Sequence, residues 1–513
     1  MSCEAKHECG VAAVSLKNSD KALFYLYKIL LNLQNRGQLS AGVTTFNAKR
    51  PQLINTYRNI GTVNEVFRTS NFEKSMNIFK QYSGSKGIGH VRYATCGANE
   101  RSYAQPFERH HGRKYKWFSF CFNGNLANYG ELKAELLKKK DYHMVLDNDT
   151  EIIMHYLARE FMGSSKPKMD QVFGNLSKRF DGSYNMAFIN AFGDLVVSRD
   201  PLGNRPLAYA IKDGELFAAS ESNALVNCGA HNYKSLDPGK MIEVENGSIE
   251  IKQYAKPERI AHCMFEWVYF ANVGSVIDNK SVYITRTNLG KELAKLETED
   301  ITKDHIVVPV PDTAKASGDS MAYELGIPAK EGLIRNRFVG RTFIEGVSRG
   351  DKVANKYTAI KEILKGKKVL LVDDSIVRGT TTKQLVRYLK NVGGAKEVHV
   401  RVSCPAIIGP CFYGIDMSSI SELLVPSYLE KSHMADEITE KACKKIAKDL
   451  GADSLIYNTV EGLIKSIGLP KNRLCLACLN GDYPTQCGRK LYCQALKNYS
   501  SGKKEDKRVY EVC

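Results

Sequence analysis

The stretch KVLLVDDSIVRGTTTKQL, residues 368–385, constrains the fold of this chain most. An apolar strand, Val369 to Val372, runs into the acidic pair Asp373-Asp374. A loop of small and polar residues follows, and then a helix. In parallel α/β sheets, ligands sit at the carboxyl ends of the strands. A loop bearing Ser375, Gly379, Thr380, Thr381 and Thr382 can aim backbone N–H groups and hydroxyls at a phosphate on the helix N-terminus. The two aspartates suit the far end of such a ligand, where they can hold ribose hydroxyls or bind magnesium directly or through water. A strand-end acidic pair and an ordinary capped turn would account for the two halves separately, but not for their combination.

The surroundings agree. HIVVPVPD (305–312) and EVHVRVSCP (397–405) are further apolar runs, separated by helical stretches such as TTKQLVRYLKNVGGA, in which Leu385, Val386, Leu389 and Val392 share one face. This alternation predicts a parallel, doubly wound sheet. Residues 9 to about 250 have a different rhythm. GVAAVSL, AGVTTF, GIGHVRYAT, WFSFCFNGNL, YNMAFINA, DLVVSRD, LAYAI, LFAAS and MIEVENGSIEI are short apolar runs with turns between them and read as antiparallel strands. Two helical segments interrupt them: KALFYLYKILLNLQNRG, with Gly37 where a C-cap belongs, and DTEIIMHYLAREFMG, with Asp149 or Thr150 at its N-cap. The boundary is expected between 250 and 280.

Lys and Arg number 73 against 56 Asp and Glu, a net charge of +17. The basic residues are spread out, apart from the cluster SSGKKEDKR in the C-terminal tail. With no RNP-like aromatic pattern or zinc-finger spacing, a phosphorylated anionic substrate or a lysine-rich surface accounts for the charge better than nucleic acid. No apolar run approaches the ~20 residues of a membrane span, and the first eight residues lack a signal-peptide h-region. A cytoplasmic location is expected. Fourteen cysteines in such a chain then read as structural thiols, metal ligands or nucleophiles rather than disulfides.

The 368–385 stretch resembles the 5-phosphoribosyl-1-pyrophosphate (PRPP) signature of type I phosphoribosyltransferases, which places the 5′-phosphate in the loop after the acidic pair. That resemblance implies PRPP contacts from Asp373, Asp374, Ser375, Arg378, Gly379, Thr380 and Thr381. It implies a pyrophosphate-facing loop in VVPVPDTAKAS (307–317), with Thr313 joining Asp373 and Asp374 at Mg2+. Arg335, Arg337 and Arg341 in IRNRFVGRTFI (334–344), with Lys356 and Lys361, could close over pyrophosphate and exclude water; solvated surface cations are the alternative.

In front of this domain stand Cys9-Gly10, QNRGQLSAG (34–42), GHVRYAT (89–95), FNGNL (122–126) and DNDTE (147–151). Their order, together with the phosphoribosyl signature, closely resembles the glutamine PRPP amidotransferases over roughly residues 9 to 485. The resemblance implies an α+β N-terminal nucleophile (Ntn) hydrolase domain, an αββα sandwich at 9–255, preceded by a propeptide at 1–8. An α/β type I phosphoribosyltransferase domain follows at 256–485, then a tail at 486–513. Cys9, exposed by loss of the propeptide, would attack the glutamine amide with its own α-amine as proton shuttle. Asn123 and Gly124 would form the oxyanion hole. Arg92 would take the substrate carboxylate, Asp149 its ammonium, and Arg36 would sit on a loop that orders with glutamine. Singly, each has a plainer reading: Asn123-Gly124 is a good hairpin turn, and Asp149 could cap its helix.

The implied reaction is glutamine, PRPP and water to 5-phosphoribosylamine, pyrophosphate and glutamate, the first committed step of purine synthesis, with ammonia passing through a transient apolar channel. Purine nucleotides as feedback inhibitors and a homotetramer come with the family. The sequence departs from the commonest family pattern at Leu39-Ser40, Phe122 and Ala271–Gly274.

CLAC gives Cys475 and Cys478, a spacing shared by redox, zinc and iron–sulfur sites. Zinc would need two further ligands, and His262 lies beside Cys263. In the iron–sulfur-containing branch of the family a [4Fe–4S] cluster is held by four cysteines, and the matching positions here are Cys263, Cys411, Cys475 and Cys478. A different Cys-type glutamine amidotransferase and a non-catalytic PRPP-sensing regulator are the rival readings. The PRPP stretch argues against the first, and an intact Cys9, Asn123, Gly124 and Asp149 against the second.

Overall fold

A computed structural model describes residues 9–93, 100–138, 142–146, 148–336, 356–429 and 438–502; elements are numbered in chain order over these residues. The first strands are β1 (Gly10–Ser15), β2 (Ser40–Phe46), β3 (Ile54–Ile60), β4 (Lys86–Arg92), β5 (Phe107–Arg109), β6 (Phe118–Leu126) and β7 (Gly182–Asn190). They continue with β8 (Leu195–Ser198), β9 (Ala208–Lys212), β10 (Glu215–Ala219), β11 (Lys234–Ser235), β12 (Lys240–Glu245) and β13 (Ser248–Gln253). Among the described residues they form two antiparallel sheets, ordered β11-β9-β10-β1-β4-β2-β3 and β13-β12-β8-β7-β6-β5.

The period-2 pattern of the strands explains why the two sheets stack. In β1, Val11 and Ala13 turn to the inter-sheet core with Ile88, Cys121, Ala187 and Val197. Ala12 and Val14 turn the other way, against Leu23, Leu26 and Leu30 of helix α1 (Ala22–Asn32). On the second sheet Phe118, Phe120 and Phe122 of β6 face outward onto Ile153 and Leu157. The helices on this side are α4 (Tyr129–Leu137), α5 (Asp149–Glu160) and α6 (Met169–Ser177); α2 (Val63–Val66) and α3 (Phe72–Gln81) precede them in the chain. This is the expected αββα sandwich.

Helix α1 ends at Asn32 with Leu33 as its C-cap, not at Gly37. Gly37 is required for another reason: a Cβ there would lie 2.6 Å from the Arg92 backbone. Helix α5 is capped by Asn148, whose side chain accepts from Glu151 N–H, rather than by Asp149 or Thr150. Helix α7 (Ser222–Val226) closes this half.

In the second half, the strands β17 (His305–Pro309), β20 (Lys368–Asp373), β21 (Glu397–Val402) and β22 (Ser454–Tyr457) form a parallel sheet in that order. Three short pieces precede it: β14 (His262–Cys263) and the pair β15 (Val276–Ile277) and β16 (Lys280–Ser281). Helices α8 (Val282–Lys295) and α9 (Lys315–Leu325) flank β17. After α9 the chain lays Ala329 parallel to Val307, on the edge of β17 away from β20. It then forms the hairpin β18 (Leu333–Arg335) and β19 (Tyr357–Ala359) before entering the sheet at β20. The direction of strand addition therefore reverses between β17 and β20, as doubly wound topology requires. Helices α10 (Lys361–Leu364), α11 (Thr380–Asn391), α12 (Glu440–Leu450) and α13 (Val460–Ile467) complete the layers.

β14 pairs in parallel with β23 (Leu474–Cys475), setting Cys263 opposite Cys475. Two helices follow, α14 (Ala477–Asn480) and α15 (Gln486–Ser500). Residues 486–500, expected as part of a tail, are thus helical. Leu491 and Ala495 of α15 are buried against Phe412 and Tyr483, so apolar spacing, not the terminal charge, governs them. Among the described residues no helix is long and apolar enough to cross a membrane.

Candidate active sites

Register brings the first site together. Gly10 pairs with Val91 across β1–β4, so Cys9, one step earlier, lies opposite Arg92 at the mouth of the inter-sheet core. The Cys9 thiol is half-buried and donates to the Tyr93 carbonyl at 3.7 Å. Two residues beyond Cys121 on the same face of β6 is Asn123. Asn123 is buried, and among the described residues its Nδ2 has no hydrogen-bond partner. A buried amide donor left open costs roughly 1–3 kcal/mol unless something accepts from it. Gly124 has φ +146°, and a Cβ there would stand 1.9 Å from the Ser183 carbonyl oxygen. Only glycine allows β6 to keep this conformation so close beside its ladder partner β7.

Arg92 is buried, with its guanidinium 5.4 Å over the Tyr103 ring. Asp149 opens α5 and is 9% exposed. Arg36 is placed differently from expectation. It is wholly buried: Nε donates to the Cys9 carbonyl at 3.1 Å, Nη1 to Glu221 at 3.0 Å, and Nη1 and Nη2 to Glu266 at 3.0 and 2.7 Å. The Arg36 guanidinium, expected at glutamine, is thus committed to two carboxylates and to the Cys9 carbonyl.

The second site lies at the carboxyl ends of β17 and β20, at the topological switch point. Thr313, Asp373, Asp374, Ser375, Gly379, Thr381 and Lys356 line one cleft there, together with Arg335 and Tyr269. Asp374 N–H donates to Asp373 Oδ1 at 2.9 Å and Ser375 Oγ to Asp374 Oδ1 at 2.8 Å, which fixes the acidic pair. Gly379, at φ +74°, turns the chain into α11. Arg335 reaches Asp312 at 3.2 Å.

Two expected residues do not line this cleft. Arg378 turns away to Glu422 at 2.6 Å, and Thr380 is exposed at the start of α11 while Thr382 lines the wall instead. Arg337, Arg341 and residues 1–8, expected as a propeptide, lie outside the described residues.

Sequence reasoning missed the element between the sites, the segment Glu266–Ala271. Arg286, buried, donates to the carbonyls of Trp267, Tyr269 and Ala271 at 2.9, 3.1 and 2.9 Å. Burial lowers the Arg286 guanidinium to about 10, against the opposing pull of Asp374. The segment thus carries Glu266 to Arg36 at one end and Tyr269 into the cleft at the other. FEWVYF reads only as an apolar run; a lone Glu inside it was the available signal.

The cysteines converge as well. Besides the Cys263–Cys475 pairing, the Cys478 carbonyl accepts from Ile408 and Gly409 N–H, drawing in the loop that bears Cys411. Burial pushes the Cys478 thiol up first, and Cys475, Cys411 and Cys263 each push it further. Among the described residues no group of three or more His, Cys, Asp or Glu side chains is gathered closely enough to hold a metal ion as it stands.

A sandwich with a thiol at its first strand, joined to a PRPP-type cleft on a parallel sheet, defines a glutamine amidotransferase domain fused to a phosphoribosyltransferase domain. Comparisons agree: residues 75–239 match the glutamine amidotransferase domain family and 285–409 the phosphoribosyl transferase domain family. The chain is 37% identical to the amidophosphoribosyltransferase of Methanothermobacter thermautotrophicus, covering 94% of this chain and 95% of that one. It is 34% identical to that of Bacillus subtilis, covering 93% and 94%. The solved B. subtilis glutamine PRPP amidotransferase in complex with ADP and GMP superposes with a TM-score of 0.80 at 31% identity, covering 98% of this chain and 100% of that one. The chain belongs to the amidophosphoribosyltransferase family, whose members are pentosyltransferases.

Proposed function

We propose that this chain converts glutamine, PRPP and water into 5-phosphoribosylamine, pyrophosphate and glutamate, as a step of purine biosynthesis. The observation that carries this reading is the segment Glu266–Ala271, which joins the residue behind Cys9 to the wall of the PRPP cleft.

At the first site, Cys9 Sγ attacks the glutamine side-chain carbonyl, and the charge on oxygen is taken by Asn123 Nδ2 and Gly124 N–H. With residues 1–8 removed, the Cys9 α-amine accepts the thiol proton and returns it to the departing ammonia. Water then hydrolyses the thioester to glutamate. Arg92 and Asp149 hold the substrate carboxylate and ammonium.

At the second site, Gly379 and Thr381 receive the 5′-phosphate at the start of α11. Asp373 and Asp374 hold the ribose, and Arg335 and Lys356 face the pyrophosphate. The acidic pair and Thr313 form a hard-oxygen donor set that fits Mg2+, which when bound neutralises charge on the leaving pyrophosphate. Arg341 belongs to the same cationic group by sequence. Water must be excluded here, because hydrolysis of PRPP competes with attack by ammonia.

Cys263, Cys411, Cys475 and Cys478, which are not gathered into a metal-holding group as they stand, would supply an all-sulfur donor set of the kind a [4Fe–4S] cluster takes, and a cluster drawn between them would tie β23 and α14 to the body of the fold. By analogy with the ADP- and GMP-bound relative, purine nucleotides act as inhibitors, and assembly as a homotetramer in the cytoplasm follows the same reading. The domain limits are 9–255 and 256–485.

The experiment is PRPP-dependent glutamate release, with the N-terminus of the purified protein determined by mass spectrometry. A chain starting at Cys9 that releases glutamate only with PRPP supports the reading. A retained leader without glutaminase activity refutes it in favour of a PRPP sensor.

A further inference from the structure

Strand β5 stops short at Phe107, which pairs with Phe120 of β6. The next position on that side of β6 is Phe122, immediately before Asn123, and continued register would set it opposite residue 105. Among the described residues no backbone partner arrives there. Instead Phe122 N–H donates to the side chain of Gln105, at 2.8 Å to Oε1, and the Phe122 carbonyl meets His90 Nε2 at 3.1 Å. Both side chains are buried, at 5% and 0% exposure. His90 comes from β4, on the opposite sheet and two residues from Arg92. Gln105 also reaches, at 3.5 Å, Thr150, the neighbour of Asp149.

We propose that His90 and Gln105 are positioning residues for the oxyanion hole. Their side chains replace the missing strand at Phe122 and so fix the peptide from which Asn123 and Gly124 project. A carbonyl faces Nε2, so His90 carries its proton there. Its Nδ1 is buried with no partner among the described residues. A neutral imidazole with one nitrogen left unsatisfied is a poor packing choice, so the single bond to Phe122 is what the residue contributes. Burial lowers the ring to about 3 and excludes it as a proton carrier near neutrality.

This inference rests on Cys9, Asn123 and Gly124 acting as proposed above. The test compares His90→Ala, His90→Gln and Gln105→Ala, with Cys9→Ala in the same assays for glutamine hydrolysis and ammonia-dependent synthesis. His90→Ala should lower kcat for glutamine roughly 10- to 100-fold, less than deleting an oxyanion donor outright, with KM changed less than about 3-fold. Ammonia-dependent synthesis should persist. His90→Gln places an amide N–H at similar reach and should recover most of kcat; Gln105→Ala should behave like His90→Ala. The proposal is overturned if kcat is unchanged in His90→Ala, if the loss falls on KM, or if His90→Gln is as impaired as His90→Ala. Should His90→Ala fail to fold, His90→Gln and Gln105→Ala still decide it through the same kcat–KM split. Glutamine hydrolysis surviving in Cys9→Ala would instead sink the underlying reading.

Discussion

Replacing Arg36 with methionine separates two readings of that residue. The guanidinium lies between Glu221 and Glu266, whose side chains are 0% and 1% exposed. Removing one partner of a buried ion pair costs about 3–5 kcal/mol, because the remaining charge is left uncompensated. Glu221 keeps Asn35 Nδ2 at 2.8 Å, Asn272 N–H at 2.7 Å and Ser275 Oγ at 2.8 Å. Glu266 keeps Arg205 at 3.5 Å. These surviving contacts put the loss at the lower end, about 3 kcal/mol, or a fall in Tm of roughly 6–12 °C for a domain of ~200 residues. Thermal unfolding, read beside glutamine kinetics, is the assay. The double variant Arg36→Met/Glu266→Met should regain part of the loss, since it removes both charges. An unchanged Tm with a large rise in glutamine KM would refute the anchor and restore Arg36 as a substrate contact.

Three other outcomes are expected. His90 has a folded-state pKa of about 3 against an ordinary 6.5, so the unfolded chain binds a proton that the folded one refuses. Stability is therefore lost as pH falls below about 6.5, by about 2 kcal/mol at pH 5 from this residue; chemical denaturation of His90→Gln should lack that component. Gly124→Ala meets both a forbidden φ and the Ser183 carbonyl, and should abolish glutamine hydrolysis, with ammonia-dependent synthesis, assayed in parallel, showing that the second domain still folds. Cys475→Ser should reduce the iron content and the visible absorption of anaerobically purified protein and destabilise α14; equal iron in both proteins would remove the cluster from the account.

Sequence legibility followed contiguity. Asp373 through Thr382 occupy one strand–loop–helix unit, so the order of residues already states their geometry. Asn123-Gly124 and the strand rhythm of the sandwich were readable for the same reason. Arg36 was not, because its partners lie far off in sequence, Glu221 late in its own domain and Glu266 in the next. His90 and Gln105 depend on where β5 ends, a register fact. Arg378 looked like a phosphate ligand by adjacency, yet Glu422 draws it away. The helix at 486–500 was hidden by the charged segment after it, although Leu491 and Ala495 carried its apolar spacing.

The most direct measurement supplies amide-15N glutamine with PRPP and follows the label into 5-phosphoribosylamine. The account predicts label in the product of the wild-type protein, none with Cys9→Ala, and continued synthesis by Cys9→Ala from added ammonium. Label arriving undiminished in Cys9→Ala would contradict it.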